Sequence, residues 1–292
     1  MGSLKLGILS PGGIAALSAR DLRTTGRKLP AFAARTLVVL VYLFILSPLV
    51  FVIWLSFFKD AIFTFPPSGY TASWYMNAWR NASFANGFVF SLQLAVLAAL
   101  IGVSVGVAAA LGISRRRTRG AALINLLLLA PLVVPGIVAG IAIYLFYLRA
   151  EDLLNIDLVG TFGGLLLAHV CLTIPWTMRL VSAALGGLDT SVEEAARNLG
   201  ASAWQTFWRV TLPMLRPAIV ASALFSFIIS FENLELALPL VGPGHTTLPI
   251  AILEYLEFNL DPTIAAVSSV QIVLLGIVML ITDRFVKLSQ VL

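Results

Sequence analysis

The sequence predicts an all-α membrane protein with six transmembrane helices, and three observations predict it. The 292 residues are 59% hydrophobic and only 11% charged, against about 25% charged in soluble domains. The apolar residues fall in runs of about 20, the length of a helix that crosses a bilayer. The remaining charges gather between those runs, and one long polar stretch, residues 189–213, stands between two of them. The single cysteine, Cys171, excludes an internal disulfide and a cysteine metal cluster. Inside an apolar run it reads as a small buried side chain.

Residues 1–35 carry Lys5, Arg20, Arg23, Arg27, Lys28 and Arg35 against Asp21, and Pro11, Gly12 and Gly13 argue against one long helix. They read as a basic N-terminal tail. The first apolar run comes too late and is too long for a secretory signal. The six-span body then covers residues 36–283, with a short tail at 284–292. The first span covers residues 36–58, kinked at Pro48. Residues 59–87 form a long loop in which Trp74, Tyr75 and Trp79 fit a short helix at the lipid–water interface. The second span, residues 88–113, ends in Arg115, Arg116, Arg117 and Arg119. The third, residues 121–148, is broken in its first half by Pro131 and Pro135. The fourth, residues 161–185, is interrupted by Pro175. After the polar stretch come the fifth span, residues 217–241, a loop with Gly242, Gly244 and His245, and the sixth span, residues 263–281.

Six spans place both termini on one side. That side holds the basic tail, the four-arginine loop, Arg197, Arg209, Arg216, Arg284 and Lys287. The other has Lys59, Arg80 and Arg149 and most of the loop acids. The positive-inside bias makes the termini and the polar stretch cytoplasmic. The two halves of the chain show no convincing repeat.

The chain has no G-x-x-x-x-G-K-[ST] loop, so it holds no cofactor of its own and any ATP dependence comes from a partner. Gly102-Val-Ser104-Val-Gly106 has the letters of a nucleophile elbow, and His169 lies in another span. An intramembrane serine hydrolase using Ser104 and His169 is therefore the reading from a different class. Against it, the elbow needs a strand-to-helix turn, and glycines at i and i+4 also let helices approach closely. His245 reads as a solvated loop residue. Glu232 and Glu235 lie three apart in the fifth span and would share a helix face, with Asn233 beside them. Acids within a span are costly and face a pathway or polar interior. The three residues are the candidate lining, or gate, of a solute path; a structural hydrogen-bonding role is the alternative.

The polar stretch reads as a cytoplasmic helix–turn–helix elbow. Ser191 with Glu194 has the form of a capping box. Residues 193–199 form a short helix, Gly200 ends it, and Trp204, Phe207, Trp208 and Val210 give a second helix an apolar face. Leu212-Pro213 closes the unit.

Glu194-Ala195-Ala196, then Gly200, Val210 and Leu212-Pro213 closely resemble the EAA loop of bacterial ABC-importer permeases, with valine at 210 where the family usually has isoleucine. Pro131-Leu-Val-Val-Pro-Gly-Ile-Val, Gly186-Gly-Leu-Asp and Ser230-Phe-Glu-Asn also resemble the family. Thr247-Leu-Pro-Ile and Asp261-Pro-Thr-Ile-Ala-Ala-Val are similar to the branch containing the second spermidine/putrescine permease. The likeness runs from about residue 36 to the end. It implies the type I importer permease fold in a bacterial inner membrane. It implies that Glu193, Glu194, Ala195, Ala196, Gly200 and Ala201 form a coupling helix seated on an ATPase dimer, which binds ATP and Mg. It also implies a distinct second permease, forming a heterodimer, and an extracytoplasmic solute-binding protein, with no nucleic-acid partner and no catalysis in this chain. Trp204, Phe207 and Trp208 would anchor the elbow to the membrane helices. The branch, together with acids in the fifth span, points to a polyamine as solute; opines, aminophosphonates, thiamine-like cations and iron(III) are the alternatives. A transporter driven by an ion gradient, without ATPase, is a further reading.

Overall fold

The computed structural model describes residues 31–115 and 120–286. Most of the expected basic tail (residues 1–30), Arg116, Arg117, Arg119 and residues 287–292 lie outside the described residues. The chain divides into two units, residues 1–51 and 52–292. Helix α1, Ala31–Leu55, supplies the described part of the first and contains Pro48. Its side chains from Leu37 to Val50 are apolar and largely exposed on all sides, the pattern of a helix solvated by lipid.

The second unit begins with a loop folded on itself. The Trp74 indole N–H donates to the Phe58 carbonyl at 2.7 Å, and the Ser56 and Tyr75 hydroxyls lie 2.6 Å apart. The expected aromatic helix is present as α2, Ser73–Arg80. Helix α3, Ala82–Arg115, runs six residues further toward the N-terminus than the apolar run suggested. It supplies much of the core through Leu94, Ala95, Ala98 and Ala110, each at most 1% exposed.

The third span is broken at the expected prolines and forms two helices. Helix α4, Ala121–Leu129, passes through a short 3-10 turn, Ala130–Leu132, and the chain then bends by 117° into α5, Gly136–Leu154. Pro131 and Pro135 remove two donors and clash with the preceding turn, so the helix cannot run through. Among the described residues five helices are long and apolar enough to cross a membrane, or six if the bent pair is one span.

Helix α6, Phe162–Gly187, starts at the Thr161 side chain, which accepts from the Gly164 N–H. It lies close against α3. A Cβ on Gly106 would lie 2.6 Å from the Thr177 Cβ, and one on Gly102 would lie 2.9 Å from the Thr173 Cβ. The Thr173 hydroxyl donates across to the Ala98 carbonyl at 3.2 Å. Small residues permit this approach where burial of apolar surface cannot drive it.

The elbow helix is α7, Thr190–Asn198. The expected second elbow helix is instead the start of the fifth span. Helix α8, Ala203–Thr206, passes through a π turn, Phe207–Thr211, into α9, Leu212–Phe231, as one span over Ala203–Phe231. Leu212-Pro213 therefore does not close a unit: Pro213 lies inside the continuous span, directly after the π turn. The fifth span also ends ten residues before the expected limit. Pro239 is incompatible with a helix running through residues 235–239, and the Asn233 side-chain oxygen accepts from the Leu236 N–H at 3.0 Å, turning the backbone aside.

The loop expected after that span contains a helix, α10, Leu248–Phe258, with Pro249 in its first turn. Its first N–H donates to the Ser91 hydroxyl on α3 at 2.8 Å. Helix α11, Thr263–Val286, overruns the expected sixth span by five residues. Asp261 joins the last two helices, accepting from the Thr263 N–H at 2.9 Å and from the Tyr255 hydroxyl at 2.8 Å.

Candidate functional site

Two regions carry the candidate residues. The first is the elbow. Asp189, not Ser191, caps α7: its carboxylate accepts from the Ser191 N–H at 2.9 Å. This bond holds the Asp189 carboxyl below its ordinary pKa. Asp189 is two residues ahead of Ser191 and reaches the first free donors, so the Ser191–Glu194 capping box does not form. A capping box does form at the start of α8, between Ser202 and Gln205.

The helix ends in a Schellman motif. The Gly200 N–H donates to the Arg197 carbonyl at 2.9 Å and the Ala201 N–H to the Ala196 carbonyl at 3.1 Å. Gly200 sits at φ +89 with nothing within 4 Å of a would-be Cβ, so its requirement is for the left-handed backbone and not for space.

The two glutamates separate. Glu193 is half-buried and accepts from the Thr211 hydroxyl in the π turn, tying α7 to the root of α9. Glu194 is exposed, as are Val192, Ala195 and Leu199, the last at 89%. A short helix locked at both ends thus presents an outward face that mixes Val192, Ala195 and Leu199 with Ser191, Glu194, Arg197 and Asn198. Trp204 and Trp208 do not anchor it to other helices. They are 69% and 49% exposed and meet edge to face at 5.4 Å, with Phe207 against both.

The second region surrounds the end of α9. Glu232 is the first residue beyond the helix, and the chain through residues 232–241 is a series of turns. Glu232, Asn233 and Glu235 therefore do not share a helix face. Glu232 and Glu235 are exposed on the chain. The Glu232 carboxylate accepts from the Gln271 amide of α11 at 3.3 Å, and Gln271 is itself 7% exposed. Glu235 lies against Gly136 at the start of α5. The Asn233 side chain is spent on the Leu236 N–H.

Beside them opens a cavity of about 610 Å³ between the broken span, α6 and the end of α9, its walls including Pro131, Gly136, Leu172, Trp176 and Leu236. Cys171 lines it and is exposed, which corrects the expectation of burial. The apolar run around Cys171 lines a space instead of filling a core.

His169 is buried, and its Nδ1 lies 2.8 Å from the Ser230 hydroxyl at the last turn of α9. Ser104 is exposed on α3 and donates to the Leu100 carbonyl at 2.7 Å. The two residues of the hydrolase reading are not brought together, and Gly102 and Gly106 serve the packing of α3 on α6. His245 is half-buried, with its ring 5.7 Å from that of Phe90. Among the described residues no group of three or more His, Cys, Asp or Glu side chains is placed to hold a metal ion.

Sequence reasoning missed the His169–Ser230 pair, since 61 residues separate its members. It also missed α10, although Leu248-Pro249 followed by an apolar periodicity was a usable start signal.

Comparison with known proteins agrees with this geometry. Residues 102–290 match the family described as binding-protein-dependent transport system inner membrane component. The chain is 29% identical over 238 residues to the putrescine transport system permease protein PotI of Escherichia coli, covering 81% of this chain and 84% of that one. It is 27% identical over 246 residues to the spermidine/putrescine transport system permease protein PotC of Escherichia coli, covering 84% and 90%. PhnV of Salmonella paratyphi A, named for a 2-aminoethylphosphonate transport system, is 28% identical over 224 residues, covering 77% and 82%. Among solved structures, a bacterial ABC transporter that imports alginate superposes with a TM-score of 0.63 at 17% identity, covering 96% of this chain and 99% of that one. The MetNI methionine ABC transporter gives 0.58 at 18% identity, covering 70% and 94%.

Proposed function

Because the chain belongs to the family of binding-protein-dependent transport system inner membrane components, we propose that it forms half of the path through which an ATP-driven importer moves a polyamine. In this reading both termini and the elbow are cytoplasmic, α7 seats on an ATPase dimer that binds ATP and Mg, and a distinct second permease completes the path. A solute-binding protein delivers the polyamine from outside.

The rigid, outward-facing α7 is the observation that supports coupling. Val192, Glu194, Ala195, Leu199 and Gly200 are exposed on a helix fixed by Asp189, by the Glu193–Thr211 bond and by the Schellman turn. A helix locked in this way transmits displacement instead of absorbing it. The Glu193–Thr211 bond ties it to the span that runs from α8 through the π turn into α9, and that span carries the displacement to Glu232 and Glu235. ATP binding drives the cycle through its different affinities for the two states of the assembly.

Polyamine is favoured by the relatives PotI and PotC and by two exposed carboxylates, Glu232 and Glu235, the second of which lies against Gly136 of the cavity wall. In a low-dielectric surrounding such carboxylates attract an organic ammonium. The likeness to PhnV makes an aminophosphonate the second reading, and its ammonium would meet the same carboxylates.

The test is purification of this chain in detergent, wild type beside Gly200→Asp, with identification of everything that accompanies it. An ATPase and a second permease with the wild type, and loss of the ATPase from the variant, are expected. A wild type that purifies alone sinks the coupling reading. Thermal-shift screening of the companion binding protein against putrescine, spermidine and 2-aminoethylphosphonate then decides between the solutes.

A further inference from the structure

Two glycines of α5 meet the unwound chain at the end of α9. A Cβ on Gly140 would lie 2.8 Å from the Leu236 carbonyl oxygen, 2.8 Å from the Pro239 ring and 3.1 Å from the Leu236 Cα. A Cβ on Gly136 would lie 3.0 Å from the Glu235 Cβ and nearer still to its carboxylate. One helical turn apart, the two occupy a single face of α5, and on that face the backbone of residues 235–239 runs in contact with the helix. A third contact closes the far end: a Cβ on Gly242 would lie 2.6 Å from the Gly160 Cα, and the Gly160 N–H donates to the Leu240 carbonyl at 3.0 Å.

Unwound backbone at membrane depth persists only where protein surrounds it and satisfies its polar groups. Here the segment satisfies several of its own, with Leu238 N–H on Leu234 O at 2.9 Å and Val241 N–H on Ala237 O at 3.1 Å. The glycine face supplies the surrounding protein. Helix α5 is in turn fixed to α6: the Tyr147 hydroxyl donates to the Gly164 carbonyl at 2.9 Å, and the Glu151 carboxylate accepts from the Leu158 and Val159 N–H groups, each at 2.6 Å.

We propose that Gly136 and Gly140 form a seat that holds residues 235–239 against α5, so that the half-helix moves with the end of α9 and keeps Glu235 against the cavity wall at Gly136. Both glycines are positioning residues for transport. The proposal rests on the reading of the chain as a coupled permease and adds the part that joins the elbow's span to the broken one. Gly140 is the stricter of the two, because a methyl group there strikes backbone and a proline ring. At Gly136 it strikes a side chain, which a second substitution shortens to its Cβ.

The test uses the whole assembly, with the co-purifying ATPase and second permease, reconstituted in liposomes with its binding protein. ATP hydrolysis and uptake of labelled putrescine are measured together. Overpacking a tight contact costs on the order of one factor of ten or more. Gly140→Ala should therefore hydrolyse ATP at close to the wild-type rate while taking up about tenfold less putrescine. Gly276→Ala on α11, where a Cβ meets nothing within 4 Å, should change neither. Uptake per ATP equal to wild type in both Gly136→Ala and Gly140→Ala overturns the seat.

A double-mutant cycle on the Tm of the purified chain tests the contact without reference to any solute. Gly136→Ala should lower the Tm more when Glu235 is present than in a Glu235→Ala background, which keeps only the Cβ contact; equal lowering in both backgrounds overturns the contact. A wild type that hydrolyses ATP but ignores putrescine refutes the polyamine reading, and the Tm cycle then decides the seat alone.

Discussion

Glu193 gives its carboxylate to Thr211, whereas Glu194 stands free of the body of the chain. Adjacent acids at a helix start both suit the positive end of the dipole, so only the contacts separate them. One holds the elbow to its span and the other is available to a partner. The same separation applies at Glu232 and Glu235. Glu232 meets a buried amide, Gln271, and Glu235 meets a glycine. Glu232→Gln keeps an oxygen for the Gln271 amide and removes only the charge. If the charge draws an organic ammonium, uptake should fall about tenfold at low solute while the Tm stays put, roughly the worth of one screened charge contact. Unchanged uptake would assign Glu232 a structural role.

At the scale of the element, α7 is held by its cap, its side bond and its left-handed stop. The Asp189 carboxyl is held below its ordinary pKa by the Ser191 N–H. Its contribution to α7 is therefore present above the unfolded carboxylate pKa and is lost as pH falls through the lower folded value. Amide exchange in α7, corrected for intrinsic rates, should accelerate as pH drops below the usual carboxylate range, and Asp189→Asn should flatten that dependence. An equal pH response in both would show that Asp189 does not set the cap. The elbow's existence and its Gly200 stop were legible in the sequence because both are local: acids early, glycine late. Its cap was misassigned because Asp189 and Ser191 are both good caps and only geometry chooses between them. Its second half was misassigned because Leu212-Pro213 suits the first turn of a helix as well as the end of a loop. The limit of the fifth span was hidden for a related reason. Residues 234–241 are as apolar as the helix before them, and hydropathy measures depth in a bilayer, not the hydrogen-bonding pattern of the backbone.

The unit comprising residues 52–292 has one long strut, α3, with α6 and α9 packed along it. Its two irregular places, the bend at residues 130–135 and the turns at 232–241, lie on either side of one cavity. Six apolar runs were enough to read the helical membrane architecture, since each run carries its own signal. The meeting of the two irregular places was not readable. It depends on Gly136 and Gly140, residues that leave no hydropathy mark, touching a segment about a hundred residues away in the chain. Cys171 has a practical consequence here. It is the only thiol in the sequence, and it stands on the wall of the cavity, so the unaltered chain carries a built-in chemical reporter. N-ethylmaleimide should alkylate it at rates that differ between the nucleotide-free and ATP-bound assembly, and mass spectrometry would follow one added label without any engineered residue. Equal rates in the two states would mean that this wall stands still while the importer turns over.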